Sequence, residues 1–165
     1  MKKTSYLTRT ALIAAIYACL TLVFSFLSFG PIQFRISEAM CVLIYFMPEA
    51  VWGLTAGCLI ANAVGTALGA ALPWDILFGT LATFISAVVT KKIKNKWLLP
   101  LPTVLFNGII VGTMLTFLLL GKLETAPLLY NIMTVSLGEV VVCYVVGIPL
   151  FAAAERILGG KKDEG

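Results

Sequence analysis

The sequence predicts an all-α integral membrane protein, a bundle of six transmembrane helices in one domain with both termini in the cytoplasm. Of the 165 residues, 60% are hydrophobic and only 12% are charged. A soluble domain of this size could not bury so much apolar side chain. Apolar runs alternate with short clusters of Lys and Arg, the pattern of membrane spans joined by cytoplasmic loops. We therefore expect a multi-pass protein of the cell (plasma) membrane.

Three helices are predicted in the first half of the chain. The first, at about 8–29, follows Lys2, Lys3 and Arg9, which place its start in the cytoplasm by the positive-inside rule. The second, at about 36–47, has an apolar run of only 11 residues, or about 16 Å of α-helix. The third, at about 49–72, begins after Pro48, as first turns often do.

Three more helices are predicted in the second half. The fourth, at about 74–92, ends in the run KKIKNK at 91–96, the strongest cytoplasmic signal in the chain. The fifth, at about 99–120, has Pro100 and Pro102 at its start. The sixth, at about 127–157, returns to the cytoplasm.

Small residues at intervals of four indicate where helices approach closely, because lipid gives helices no hydrophobic drive to associate. They form a stripe on the third helix and a pair on the fifth: Gly53, Gly57, Ala61, Gly65 and Gly69, then Gly108 and Gly112. We expect these to pack inside the bundle. The first helix carries Ala11 with Ala15 and Ala14 with Ala18. That surface could equally pack internally or hold another subunit.

Glu139 is the most informative residue, because it lies in the middle of the last apolar run. A carboxylate at that depth is costly and normally faces a bundle interior or a watery cavity. Asn131 shares its helix face, and Asn62 and Asn107 lie at similar depth on other helices. Either these groups hydrogen-bond one another and stabilise the bundle, or they line a polar pocket with Glu139 as its charged anchor. No Lys or Arg is predicted at the depth of Glu139.

Other polar residues lie at the outer helix ends, and each has a local explanation. Arg35 and Glu38 could form an ion pair on the second helix, with Ser37 as its N-cap. Asp75 could complement the dipole of the fourth helix. Trp74 could anchor the chain at the interface. Binding a solute is the alternative for all of them.

Several functional classes lack the residues they require. The chain has no P-loop, no G-x-S-x-G motif and no histidine, so an enzyme is not expected. Its four cysteines lie singly in apolar runs, which predicts no metal site. No basic and aromatic surface suggests nucleic-acid binding. A small bundle without an ATP site suits a substrate-capturing subunit that depends on an energising partner.

Four segments resemble the QueT family: FRISEAM at 34–40, YFMPEA at 45–50, CLIANAVG at 58–65 and SLGEVVVCYVVGIPL at 136–150. The resemblance implies a substrate-specific (S) component of an energy-coupling-factor (ECF) transporter, an ATP-driven uptake system for queuosine precursors. It also implies a transmembrane coupling subunit, docked on the alanine surface of the first helix, and two ATPase subunits that use ATP. The chain itself would carry no cofactor. The alternatives are an S component for another small solute, such as a vitamin, and a structural membrane protein with no transport role.

A 7-deazaguanine ligand suggests roles for the polar residues. Glu139 would accept the two adjacent donors of the base, and Asn107 or Asn131 would donate to its carbonyl. Glu38 or Asp75 would meet an ammonium group, and Trp74 or Phe34 would stack on the ring. The complete set of expected binding residues is Phe34, Arg35, Glu38, Asn62, Trp74, Asp75, Asn107, Asn131 and Glu139.

Overall fold

A computed structural model describes residues 2–30 and 32–158. Seven α-helices, a long 3-10 helix and a π-helical segment make up this part of the chain. They are α1 (Lys2–Val23), α2 (Ser25–Ser28), the central 3-10 helix (Ile36–Tyr45), α3 (Ala50–Ala67), α4 (Asp75–Thr90), α5 (Leu101–Leu120), α6 (Thr125–Val140), the π segment (Val141–Val146) and α7 (Gly147–Leu158). A 3-10 turn, Lys96–Leu98, precedes α5.

The six predicted apolar helices all occur close to their expected positions. Four are long and apolar enough to cross a membrane, namely Thr4–Val23, Ala50–Ala67, Lys96–Leu120 and Thr125–Leu158. The helices Ile36–Tyr45 and Asp75–Thr90 are apolar but shorter. The all-helical, multi-pass architecture is confirmed. Six crossings and two cytoplasmic termini stay predictions.

The second predicted helix has a different form and position from a simple span. It is a 3-10 helix, and most of its side chains are buried. It contacts α1, α3, α4, the π segment and α7. A 3-10 helix rises about 2.0 Å per residue, so these ten residues extend about 20 Å, further than an α-helix would. Because five other elements contact this segment, it lies at the centre of the bundle.

The glycine stripe brings α1 and α3 together, as predicted. A Cβ atom at Gly57 would lie 2.7 Å from the Tyr17 Cβ and 2.8 Å from the Ala14 carbonyl oxygen. At Gly53, a Cβ would lie 2.7 Å from the Ile13 side chain. Neither helix could approach so closely with a larger residue at these positions.

The glycine pair on α5 has the same role against α6. A Cβ at Gly112 would lie 2.8 Å from the Cα of Ile132, and one at Gly108 would overlap the Ser136 hydroxyl. The internal-packing prediction is confirmed for Gly53, Gly57, Ala61 and Gly65 of α3 and for the pair on α5. It is wrong for Gly69, which follows the end of α3 at Ala67, is exposed and has no atom within 4 Å of its Cβ position.

The last long helix changes form just after Glu139. Val141–Val146 is π-helical, and α7 follows without a break. Pro149 lies in the first turn of α7, and its ring cannot be accommodated beside the carbonyl of residue 145 in a regular α-helix. A π segment widens the backbone there, and such segments often occur at functional sites.

Candidate functional site

Seven buried polar side chains lie together at the centre of the bundle, contributed by the central 3-10 helix, its N-cap residue, α1, α3, α4 and α6. We call this group the polar centre: Tyr17, Arg35, Glu38, Asn62, Asp75, Thr83 and Glu139. Each is at most 2% exposed. Buried charged groups are costly unless they are paired and hydrogen-bonded. The partners of each group therefore indicate which are structural and which are available for a ligand.

Glu38 is held by two hydroxyl groups from neighbouring helices. The Tyr17 hydroxyl on α1 donates to its Oε1 at 2.5 Å, and the Thr83 hydroxyl on α4 donates to the same oxygen at 2.8 Å. The predicted local ion pair between Glu38 and Arg35 is wrong, because Arg35 turns to Asp75 instead. Ser37 is not the N-cap, since its hydroxyl is paired with that of Thr21 at 2.7 Å.

Arg35 and Asp75 form a buried ion pair between segments 40 residues apart. The Arg35 Nη2 lies 3.4 Å from the Asp75 Oδ1, and both side chains are buried. Asp75 also accepts from the Leu72 backbone N–H at 3.0 Å. The helix-dipole role is compatible with this geometry, since Asp75 is in the first turn of α4. The ion pair itself forms only because the tertiary fold brings these two distant segments together.

Asn62 and Gly79 support this ion pair. The Asn62 side-chain amide donates to the Asp75 carbonyl oxygen at 2.8 Å. A Cβ at Gly79 would lie 3.0 Å from that amide nitrogen and 3.2 Å from the Arg35 Nη1. A side chain at Gly79 would therefore crowd Asn62 and Arg35, which pack closely against α4 at this position.

Glu139 has few partners in comparison. Among the described residues, its Oε2 receives only the Cys143 thiol, at a sulfur–oxygen distance of 3.6 Å, and a thiol is a weak donor. Glu38 and Arg35 are close enough to act on Glu139 electrostatically. The expectation that no cation reaches its depth is corrected, although Arg35 is already bonded to Asp75. With every group ionised, the polar centre holds three carboxylates against one guanidinium.

Asn107 is buried on the interior face of α5, and neither its Nδ2 nor its Oδ1 has a hydrogen-bond partner among the described residues. The Thr103 hydroxyl, one turn earlier on the same face, is also without a partner there. The described hydrogen bonds include none between Asn62, Asn107 and Glu139. Mutual hydrogen bonding therefore does not explain these three residues.

Asn131 is placed elsewhere than the other candidates. It is partly buried, and its amide donates to the Thr116 hydroxyl at 2.9 Å. That hydroxyl in turn donates to the Gly112 carbonyl at 2.8 Å. Asn131 thus contributes to the pairing of α5 and α6, which leaves Asn107 as the better placed amide for a ligand.

The two aromatic candidates lie outside the polar centre. Trp74 is 51% exposed and its ring is 6.2 Å from that of Phe78. Both line a groove of about 480 Å³ between α4 and α5, whose other lining residues are almost all apolar. The groove has no charged group to orient a polar solute, so we place the candidate site at the polar centre instead. Phe34 is half-buried in the outer connection.

The four alanines of α1 divide between two faces. Ala14 and Ala18 are buried, with Ala14 against Gly57 of α3. Ala11 and Ala15 are exposed. The docking prediction for α1 accordingly narrows to the face of Ala11 and Ala15.

Sequence reasoning missed two members of the polar centre, Tyr17 and Thr83, and the neighbouring Cys58. The Thr83 hydroxyl lies 3.3 Å from the Cys58 sulfur as well as close to Glu38. One signal was present, because Thr83, Ser86 and Thr90 recur at helical spacing on one face of α4. Tyr17 gave no signal, since tyrosine is common in apolar helices.

Comparisons with known proteins identify one curated relative. No group of His, Cys, Asp or Glu suited to a metal ion occurs in the described part of the chain. No solved structure matches the chain. A curated protein of Lactococcus lactis subsp. cremoris (strain MG1363), named queuosine precursor transporter QueT, is 34% identical over 86 residues. That alignment covers 50% of this chain and 47% of the relative, about half the length of each.

The family comparison extends much further along the chain. The model of the family described as QueT transporter matches residues 7–156. This range includes every residue of the polar centre. The chain therefore belongs to the QueT transporter family, which is a family of transporters and not of enzymes.

Proposed function

We propose that the chain is the substrate-binding subunit of an ECF-type transporter in the plasma membrane and that it captures a queuosine precursor of the 7-deazaguanine type. The name of the Lactococcus relative, queuosine precursor transporter QueT, supports this choice of cargo. The observation that carries the proposal is the composition of the buried site. The polar centre holds a surplus of carboxylates, and Asn107, which is buried on α5, has no partner in the described residues. A donor-rich base with one carbonyl would satisfy both.

The atoms of a 7-deazaguanine match these groups. Its Watson–Crick edge has two adjacent N–H donors, which one carboxylate can accept side by side. Glu139 is the candidate, because only a weak thiol donor occupies it. The base carbonyl would accept from the Nδ2 of Asn107. A site built to hydrogen-bond particular groups discriminates strongly against analogues that lack them.

Glu38 is better placed than Asp75 to take an additional ammonium group on the ligand. Both described donors to Glu38 use its Oε1. Asp75 uses both oxygens, one for Arg35 and one for the Leu72 backbone. A cationic substituent near Glu38 would also offset the excess of negative charge.

Ligand-dependent thermal stability of the purified chain tests the proposal. The panel would contain 7-aminomethyl-7-deazaguanine, 7-cyano-7-deazaguanine, guanine and several vitamins. At 100 times the dissociation constant, a ligand should stabilise the fold by about 2.7 kcal/mol. Stabilisation by deazaguanines alone would support the cargo. Stabilisation by another solute would discard the cargo but keep a binding subunit, and no stabilisation of folded protein by any solute would favour a structural membrane protein.

The ATP-driven step belongs to partner subunits in this proposal, namely a transmembrane coupling subunit and two ATPases. The exposed face of Ala11 and Ala15 on α1 is the candidate docking surface. Ala15→Leu should abolish co-purification of the coupling subunit and leave ligand binding and melting temperature unchanged. Ala14→Leu is the matched control on the buried face, and it should lower the melting temperature because Ala14 packs against Gly57. Normal assembly of the Ala15 variant would refute docking on this face.

A further inference from the structure

Four lysines lie close together in the connection from α4 to α5. They are Lys91, Lys92, Lys94 and Lys96, and all four are exposed. We call them the lysine cluster. The positive-inside rule places this connection in the cytoplasm. The dipole of α4 favours cations at its C-terminal end, which accounts for Lys91 and Lys92. It does not account for Lys94 and Lys96, which lie beyond the last turn.

The backbone that carries the lysine cluster is fixed at several points. The Asn95 side chain accepts from the Trp97 backbone N–H at 3.0 Å. The Trp97 carbonyl accepts from the Tyr144 hydroxyl of the π segment at 3.0 Å. The Thr90 hydroxyl donates to the Leu99 carbonyl at 3.3 Å. The connection is thus tied to both α4 and the last helix, which holds the four cations near one another.

No carboxylate among the described residues neutralises these charges. The described ion pairs join Arg9 to Glu49, Arg35 to Asp75 and Lys122 to Glu124. The Lys96 Nζ lies over the face of the Trp97 ring, 5.8 Å from the ring centroid. Four like charges within six residues repel one another, so an anionic partner would stabilise them.

An exposed apolar surface adjoins the lysine cluster. The side chains of Trp97, Leu98 and Leu101 are 56%, 46% and 40% exposed. Tryptophan is typical of the membrane interface, where headgroups meet hydrocarbon. A partner that is anionic at one end and apolar at the other would fit both surfaces at once. An anionic phospholipid of the inner leaflet has this chemistry.

We propose that the lysine cluster binds the headgroup of an anionic phospholipid, whose acyl chains lie against Trp97, Leu98 and Leu101. This inference is independent of the cargo and would hold for another solute. The site would tie the α4–α5 connection to the membrane surface. Clusters of basic residues just inside a transmembrane helix are a general feature of recognition of anionic lipids.

Retention of phosphatidylglycerol by the full-length chain tests the proposal. Binding to the purified protein would be measured by native mass spectrometry and by titration, with phosphatidylcholine as the uncharged lipid. Lys92→Gln/Lys94→Gln should weaken phosphatidylglycerol binding by roughly 30-fold, since each lysine near an anionic surface contributes roughly fivefold. Wild-type affinity should fall as salt is raised.

Two further variants separate the site from net charge and from misfolding. Lys2→Gln/Lys3→Gln removes the same charge from the same predicted side of the membrane and should change the affinity little. Lys92→Arg/Lys94→Arg keeps the charge and should bind as the wild type does. An equal loss in the Lys2/Lys3 variant, or salt-independent binding by the wild type, would overturn the proposal. Unchanged lipid binding in the Lys92→Gln/Lys94→Gln variant would also overturn it. If that variant in addition failed to co-purify the ATPase subunits, the surface would be assigned to a protein partner.

Discussion

The buried polar groups on two sides of the bundle interior differ in how completely they are paired. On the side of α1, α3 and α4, Glu38 receives two hydroxyls and Asp75 receives Arg35 and a backbone N–H. On the side of α5 and α6, Glu139 receives one thiol and Asn107 has no described partner. All of these groups are equally buried. The paired side can maintain its geometry alone, whereas the other side is completed by a ligand in the proposed function.

The largest effect is expected from breaking the paired side. Arg35→Met should destabilise the chain by about 3–5 kcal/mol, because it leaves Asp75 as an uncompensated buried charge. Thermal unfolding in detergent would measure the loss. Arg9→Met is the matched control, since the Arg9 side chain is 60% exposed in its pair with Glu49. It should cost less than about 1 kcal/mol. Equal losses in the two variants would contradict a special role for the buried pair.

An intermediate effect is expected at Glu139, and it should appear in binding more than in stability. Glu139→Gln should weaken binding of the stabilising ligand by about 100-fold, since a buried hydrogen-bonded charge contributes about 2–5 kcal/mol to binding. The melting temperature without ligand should change little, because the only described partner is a thiol. Calorimetric titration would measure the affinity. Glu124→Gln, at an exposed ion pair, is the control. Unchanged affinity in Glu139→Gln would remove its anchor role.

The smallest effect, and the sharpest comparison, is expected from the two asparagines. Asn107→Leu should leave the unliganded chain equally stable or more stable by about 1 kcal/mol, since it removes two unpartnered polar atoms. Asn62→Leu should destabilise by about 1–3 kcal/mol, because the Asp75 backbone carbonyl loses the Asn62 amide as a donor, and this loss exceeds the gain from removing the Asn62 Oδ1, which has no described partner. The melting temperatures of both variants, compared with that of the wild type, would test these two expectations. Destabilisation by Asn107→Leu as large as by Asn62→Leu would show that the two sides do not differ.

Much of the fold was predictable because a membrane limits the choices. Each apolar run between basic clusters or prolines became a helix near its predicted position. The glycine spacing identified the close contacts of α1 with α3 and of α5 with α6. The 3-10 form of Ile36–Tyr45 was not predictable from its pattern. It follows from the helices that pack around it, since an isolated α-helix would be the better hydrogen-bonded form.

The candidate site was predictable only in part. Glu139 and Asn107 stand out in sequence because polar groups in long apolar runs are costly. The partners of Arg35, Glu38 and Asp75 did not follow from spacing, which favoured local explanations. The Tyr17 contact with Glu38 joins residues 21 positions apart, and no helical period relates them.

The sequence by itself determined that the chain is a helical membrane protein, where its helices lie and which acid lies within a long apolar run. The cost of exposing backbone and charge to hydrocarbon acts on each segment separately, so it can be read from local composition. The tertiary structure alone decided which polar groups satisfy one another. Hydrogen bonds and ion pairs depend on distances of a few ångströms between side chains, and only the packing around the central 3-10 helix sets those distances.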